Sequence, residues 1–143
     1  MTGDHAYATP GVYTIRLSVG GGSAAVSTEF QYIVVYDNSA GYVTGGGWFN
    51  SPAGAYAANS SLTGKATFGF VARYLPGANV PSGNTEFQFK AGDLNFRSTA
   101  YEWLVVAGAK AQYKGSGTIN GTGNYNFFLT ATDGQRRGGG EVD

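Results

Sequence analysis

Serine nucleophiles need a base, and His5 is the only imidazole in the chain, so any Ser-His-Asp arrangement would have to recruit it. No G-x-S-x-G elbow is present to hold such a serine, and cysteine is absent, so acyl transfer through an activated hydroxyl or thiol is not expected. Paired carboxylates for glycoside hydrolysis could be drawn from Glu86, Asp93, Glu102 and Asp133. Glu86 and Glu102, however, alternate with apolar residues on the polar side of their segments, which is where solvated surface charges sit. Oxygen donors for a hard cation are a third set. Asp133, Glu141 and Asp143 flank a glycine-rich stretch, and Asp37 with Asn38 lie at a turn. Calcium suits them better than a transition metal, although neither group has the spacing of an EF-hand loop and plain turn chemistry competes.

Aromatic rings are the fourth chemical resource. Sugars dock by laying C–H faces on exposed rings, with amide and guanidinium groups as hydrogen-bond partners. Tyr74, Tyr101, Trp103, Tyr113 and Tyr125 could supply rings, and Asn95, Arg97 and Gln112 could supply polar partners. Strand aromatics at period two usually face a core. Tyr56, in a loop of Ala and Ser, and Tyr113, next to Lys114, are the ones expected to stay exposed, so Tyr56, Tyr113, Trp103 and Arg97 form the expected glycan-binding set. The triplet Gly45 to Gly47 precedes neither a helical pattern nor a Lys-Ser/Thr pair, and it is not expected to cradle phosphate. It reads as a strand, bent or bulged, where backbone or an aromatic ring comes close, with Trp48 as a core anchor.

The elements that must position these residues are strands. From Glu86 to Asp133 apolar and polar residues alternate between glycine-bearing turns, the pattern of an antiparallel meander. Period two groups Phe87 with Phe89, Leu94 with Phe96, Tyr101 with Trp103 and Val105, and Tyr125 with Phe127, Leu129 and Ala131. Residues 12–19 and 27–36 read as two strands reversed by Gly20-Gly21-Gly22-Ser23, residues 65–74 as another, and 76–83 as a loop by its prolines. No stretch has a helical period.

Nine basic and nine acidic residues give zero formal charge, so no footprint for nucleic acid is visible. Charged residues are only 13 % of the chain, against 24 glycines and 15 % aromatics, a balance common in secreted β-proteins. No apolar run approaches the roughly 18 residues of a membrane helix, so no membrane insertion is expected. A secretion signal, if the parent protein has one, is expected upstream of this stretch.

The run from His5 to Val19, HAYATPGVYTIRLSV, resembles the second half of a PKD (polycystic kidney disease) domain, whose pattern is H-x-Y-x-x-P-G-x-Y-x-V-x-L-x-V. That resemblance, over residues 4–36, implies part of an immunoglobulin-like sandwich of the kind used as spacer and adhesive module outside bacterial cells, and gives His5 a structural role. The earlier strands of such a domain are not represented, and a lone hairpin buries too little to stand alone. It is expected to dock on the following domain or on another copy of the chain. Residues 42–143, through Thr44 to Trp48, Leu62 to Phe70, Gly115 to Gly121 and Tyr125 to Phe127, resemble a β-rich module without assigned activity that follows PKD-type repeats in bacterial surface proteins. The resemblance implies one more strand after the Gly134-to-Gly140 turn, so an open sheet edge is expected.

The expectation is therefore an all-β antiparallel sandwich or flattened barrel of about seven to nine strands, without substantial helix, divided into residues 1–36 and 37–143. Its function is expected to be a non-catalytic structural or adhesion module of a secreted or surface protein, self-associating through open edges. The alternative is a carbohydrate-binding module attached to an extracellular hydrolase, with polysaccharide or cell-surface glycan as partner. A small hydrolase ranks last. No cofactor beyond calcium is expected.

Overall fold

The structure is a computed structural model that describes residues 4–21, 24–39 and 41–134. Within them the fold is all-β, with eight strands and one 3-10 turn at Lys90–Gly92. Strands β1 (Gly11–Gly21) and β2 (Ala24–Val35) form a two-stranded antiparallel sheet. The other six form a meander in which every neighbour in sequence is a neighbour in space: β3 (Tyr42–Ser51), β4 (Gly64–Arg73), β5 (Ser82–Phe89), β6 (Leu94–Ala107), β7 (Lys110–Ile119) and β8 (Thr122–Thr132). The last two connections, β6 to β7 and β7 to β8, are tight two-residue turns. Asn120 and Gly121 both adopt positive φ between β7 and β8, the requirement of a tight turn that matches strand twist.

The six-stranded sheet is twisted so that one face turns inward. Ala72, Tyr101, Leu104 and Tyr113 are buried at its centre, with Val43, Phe70, Tyr74, Val106, Phe127 and Leu129 packed around them. Glycines opposite aromatics make room for the rings. A Cβ on Gly45 would lie 2.6 Å from the Phe70 ring, and one on Gly47 would lie 3.2 Å from that of Phe68. The expected close approach of a ring to this triplet is therefore real. The expected bulge is absent, because β3 pairs with β4 from Tyr42 to Ser51 without a register shift.

Strand β6 corrects a second expectation. Its pairing with β7 shifts between Ser98 and Ala100 and again between Tyr101 and Trp103, so Thr99 and Glu102 are each an extra residue. A bulge of this kind moves every following side chain to the opposite face. Tyr101 and Leu104 are both buried in the core, whereas Trp103 and Val105 point to the outer side, not to the face of Tyr101. The Tyr74 hydroxyl secures the distorted backbone: it donates to the Leu104 carbonyl at 3.2 Å and accepts from the Leu104 N–H at 3.0 Å.

The hairpin lies on the outer side of this same end of the sheet. Val34 of β2 faces Trp103, Lys114 and Phe128 across a cavity of about 390 Å³, and Tyr36 stacks on Tyr74 with ring centroids 5.6 Å apart. The arrangement is sandwich-like where the hairpin meets Trp103 of β6 and Lys114 of β7, while the outer residues of β8, Phe128 among them, stay exposed. It leaves the outer face of β3, β4 and β5 uncovered by the described residues, and that face is where the polar and aromatic groups of interest collect.

Candidate functional site

Register determines which outer-face side chains are neighbours. Trp48 pairs with Thr67, Thr67 with Gln88, and Gln88 with Asn95, so one row across β3 to β6 carries an indole, a hydroxyl and two amides. At about 4.8 Å per strand the row is ~14 Å long. The next row is Gly46, Gly69, Glu86 and Arg97. Its two glycines make a bare floor beside the indole. A Cβ on Gly69 would meet nothing within 4 Å, so sterics do not demand glycine there, although glycine inside a strand costs about 0.5–1 kcal/mol.

Trp48 is 60 % exposed on edge strand β3. This overturns its expected role as a core anchor. The inward set of β3 is Val43, Gly45, Gly47 and Phe49, which pair with Ala72, Phe70, Phe68 and Ala66, so the parity of the strand sends Trp48 to the other side. That parity was available in the sequence; the aromatic character of Trp48 obscured it. Lys65 holds its ammonium 4.7 Å from the centroid of the indole, a cation–π contact worth about 0.5–1 kcal/mol at an exposed site. Arg97 pairs with Glu86 at 3.0 Å on the same surface, so of the expected glycan-binding residues Arg97 alone falls beside this row.

The other three are placed elsewhere. Tyr113, expected at the surface, is fully buried. Its hydroxyl lies 2.9 Å from the Thr85 hydroxyl, which is also 2.8 Å from that of Tyr101, and Ser98 extends the chain at 3.2 Å from Tyr101. Burial pushes the Tyr113 phenol up to about 12, with the Thr85 hydrogen bond working against that rise. Tyr113 is inward because it pairs with Leu104 and Leu129, and the charge on Lys114 says nothing about its neighbour in a structure of period two. Tyr56 is half-buried: its ring packs edge-on against Phe89 at 5.7 Å and its hydroxyl donates to the Gly92 carbonyl at 3.3 Å, closing one end of the core instead of offering a platform. Trp103 is half-buried under the hairpin, edge-on to Phe128 at 5.6 Å. Gln112 donates to the Thr130 hydroxyl at 3.4 Å on that side of the sheet.

The carboxylates are scattered. Glu102 accepts from Lys114 at 2.9 Å, Glu86 pairs with Arg97, and Asp93 occupies the left-handed position that ends the 3-10 turn. Asp37 accepts from the side chain and the backbone of Ser39, which holds its carboxyl below the usual range and makes it a turn residue. Asp133 sits at the end of β8, its N–H donating to the Ala109 carbonyl at 2.8 Å; Glu141 and Asp143 lie outside the described residues. Among the described residues no three His, Asp or Glu side chains converge in a way that could hold a metal ion. His5 packs edge-on against Tyr7 at 4.6 Å, and Tyr7 lies 4.5 Å from Tyr13.

Compared with family models, with curated proteins and with solved structures, the chain matches none.

Proposed function

We propose that this chain is a non-catalytic binding module of a secreted or cell-surface protein, and that it holds polysaccharide on the outer face of β3 to β6. The observation that carries this reading is the exposure of Trp48 at the head of a row of neutral hydrogen-bonding side chains, on a sheet face with a glycine floor. An exposed indole contributes dispersion and C–H contacts to a pyranose ring, while Thr67, Gln88 and Asn95 offer donors and acceptors to hydroxyl groups. Adhesion through a glycan is the form of structural role that this surface supports. The resemblance of residues 4–36 to part of a PKD domain fits an extracellular address, and the dispersed carboxylates favour binding over hydrolysis.

The test is a pull-down and affinity-gel panel of insoluble and soluble polysaccharides, with calcium and with chelator. Retention by at least one polysaccharide is expected, with Trp48→Ala abolishing it while the far-ultraviolet circular dichroism stays unchanged. Retention that survives Trp48→Ala would refute the assignment to this face.

A further inference from the structure

The outer face of β3 and β4 carries a second aromatic. Tyr42 is 67 % exposed and pairs directly with Arg73, just as Trp48 sits beside Lys65 at the other end of the same strands. Tyr42 and Trp48 are six positions apart on β3, about 20 Å at roughly 3.4 Å per residue, with Thr44 and Gly46 between them on this face. Each exposed ring is thus accompanied by a cation.

Lys65 lies over the Trp48 ring, and among the described residues neither Lys65 nor Arg73 is held by an ion pair. The ion pairs there are Arg16 with Glu29, Arg97 with Glu86 and Lys114 with Glu102. With Arg97 already matched by Glu86, each end of the β3–β4 surface carries a cation that pairs with no carboxylate among the described residues, although the formal charge of the whole chain is zero. Such a cation beside an exposed ring suits a ligand that is both a ring and an anion.

We propose that this face takes an acidic polysaccharide built of uronate sugars, lying along β3 and β4 from Trp48 and Lys65 to Tyr42 and Arg73; the specificity rests on the reading of this face as a glycan platform. In a uronate the carboxylate is bonded directly to a ring carbon, so stacking the pyranose on the indole brings the anion next to the Lys65 ammonium. Single-stranded nucleic acid, which also combines rings and charge, is disfavoured. It uses successive stacking rings and a continuous basic groove, whereas neutral Thr44, Gly46 and Gly69 separate the two pairs here.

The experiment compares full-chain binding to polygalacturonate and to the same polymer with its carboxylates methyl-esterified, by calorimetry at low and at physiological ionic strength. Tighter binding of the free acid is expected, with the preference shrinking as salt rises. Lys65→Gln and Arg73→Gln should each weaken binding of the acid by about two- to fivefold, the range of an exposed charge pair, and should affect the ester less than the acid. Trp48→Ala should weaken both polymers by more than about tenfold. Equal binding of acid and ester, with Trp48→Ala losing both, would overturn the uronate specificity and leave the glycan platform standing. Binding of neither polymer, while a neutral polysaccharide is retained through Trp48, would have the same meaning. No glycan retained at all would overturn both. An oligothymidylate that displaces polygalacturonate more effectively than free galacturonate oligomers do would overturn the proposal in favour of nucleic acid.

Discussion

Thr85→Val tests the polar centre of the core. The substitution preserves the shape of the side chain and removes its hydroxyl, which bridges Tyr101 at 2.8 Å and Tyr113 at 2.9 Å. The backbone N–H of residue 85 keeps its bond to the Ser98 hydroxyl at 2.8 Å, and Tyr101 retains Ser98 at 3.2 Å. Tyr113 loses Thr85 and is fully buried, so its hydroxyl is left without a partner or water. An unsatisfied buried hydroxyl costs about 1–3 kcal/mol, while an isosteric swap opens no cavity, so the whole loss is expected within that range. Urea unfolding followed by tryptophan fluorescence measures it, with an unchanged slope of free energy against urea required for the comparison. The sign of a second substitution is the sharper criterion. Adding Tyr113→Phe removes the orphaned hydroxyl, so the double variant is expected to regain part of the loss, roughly 0.5–1.5 kcal/mol of coupling. A Thr85→Val variant within about 0.5 kcal/mol of the parent, or a double variant whose losses simply add, would refute the reasoning.

Three further outcomes follow from the same core and its covering loops. The Tyr113 phenol is pushed up to about 12 by burial, whereas an unfolded tyrosine titrates near 10; above that pH the unfolded chain binds fewer protons, so this contribution is whole below pH 10 and is lost as pH rises through 12. Urea midpoints taken from pH 9 to 12 are expected to fall more steeply for the parent than for Tyr113→Phe, with some slope remaining because burial also raises Tyr74. Gly117→Ala would place its methyl 2.6 Å from the Phe96 ring and against the Arg97 carbonyl, so a loss of about 1–3 kcal/mol is expected by thermal unfolding. Tyr56→Ala should cost about 1–2 kcal/mol through its lost packing on Phe89 and leave polysaccharide retention intact; loss of retention without unfolding would reinstate Tyr56 as a ligand residue.

The inner and outer faces were legible wherever one strand stayed in register. Phe87 with Phe89 and Phe127 with Leu129 fall where alternation puts them, because a strand side chain has only two directions available. The candidate site was half legible. Arg97 was placed on a polar face and is there, whereas Trp48 was assigned inward by hydrophobicity, although the alternation of Val43 and Phe49 around it requires the opposite. The sequence carried that signal, and the residue type outweighed it.

Composition and period two by themselves determined that the chain is all-β, that its second part is a meander closed by glycine turns, and which residues share a face between turns. Tertiary structure alone decided the rest. The extra residue at Glu102 moves Trp103 and Val105 off the face of Tyr101, and nothing in a local pattern marks a bulge that the partner strand and the Tyr74 hydroxyl hold in place. Tyr113 is deep because Leu104 and Leu129 flank it from neighbouring strands, and Trp48 is open because the hairpin lies at Trp103 and Lys114 of β6 and β7 and not over β3. Alternation sets which side of a sheet a residue occupies; only the packing of one sheet on another sets which side is covered.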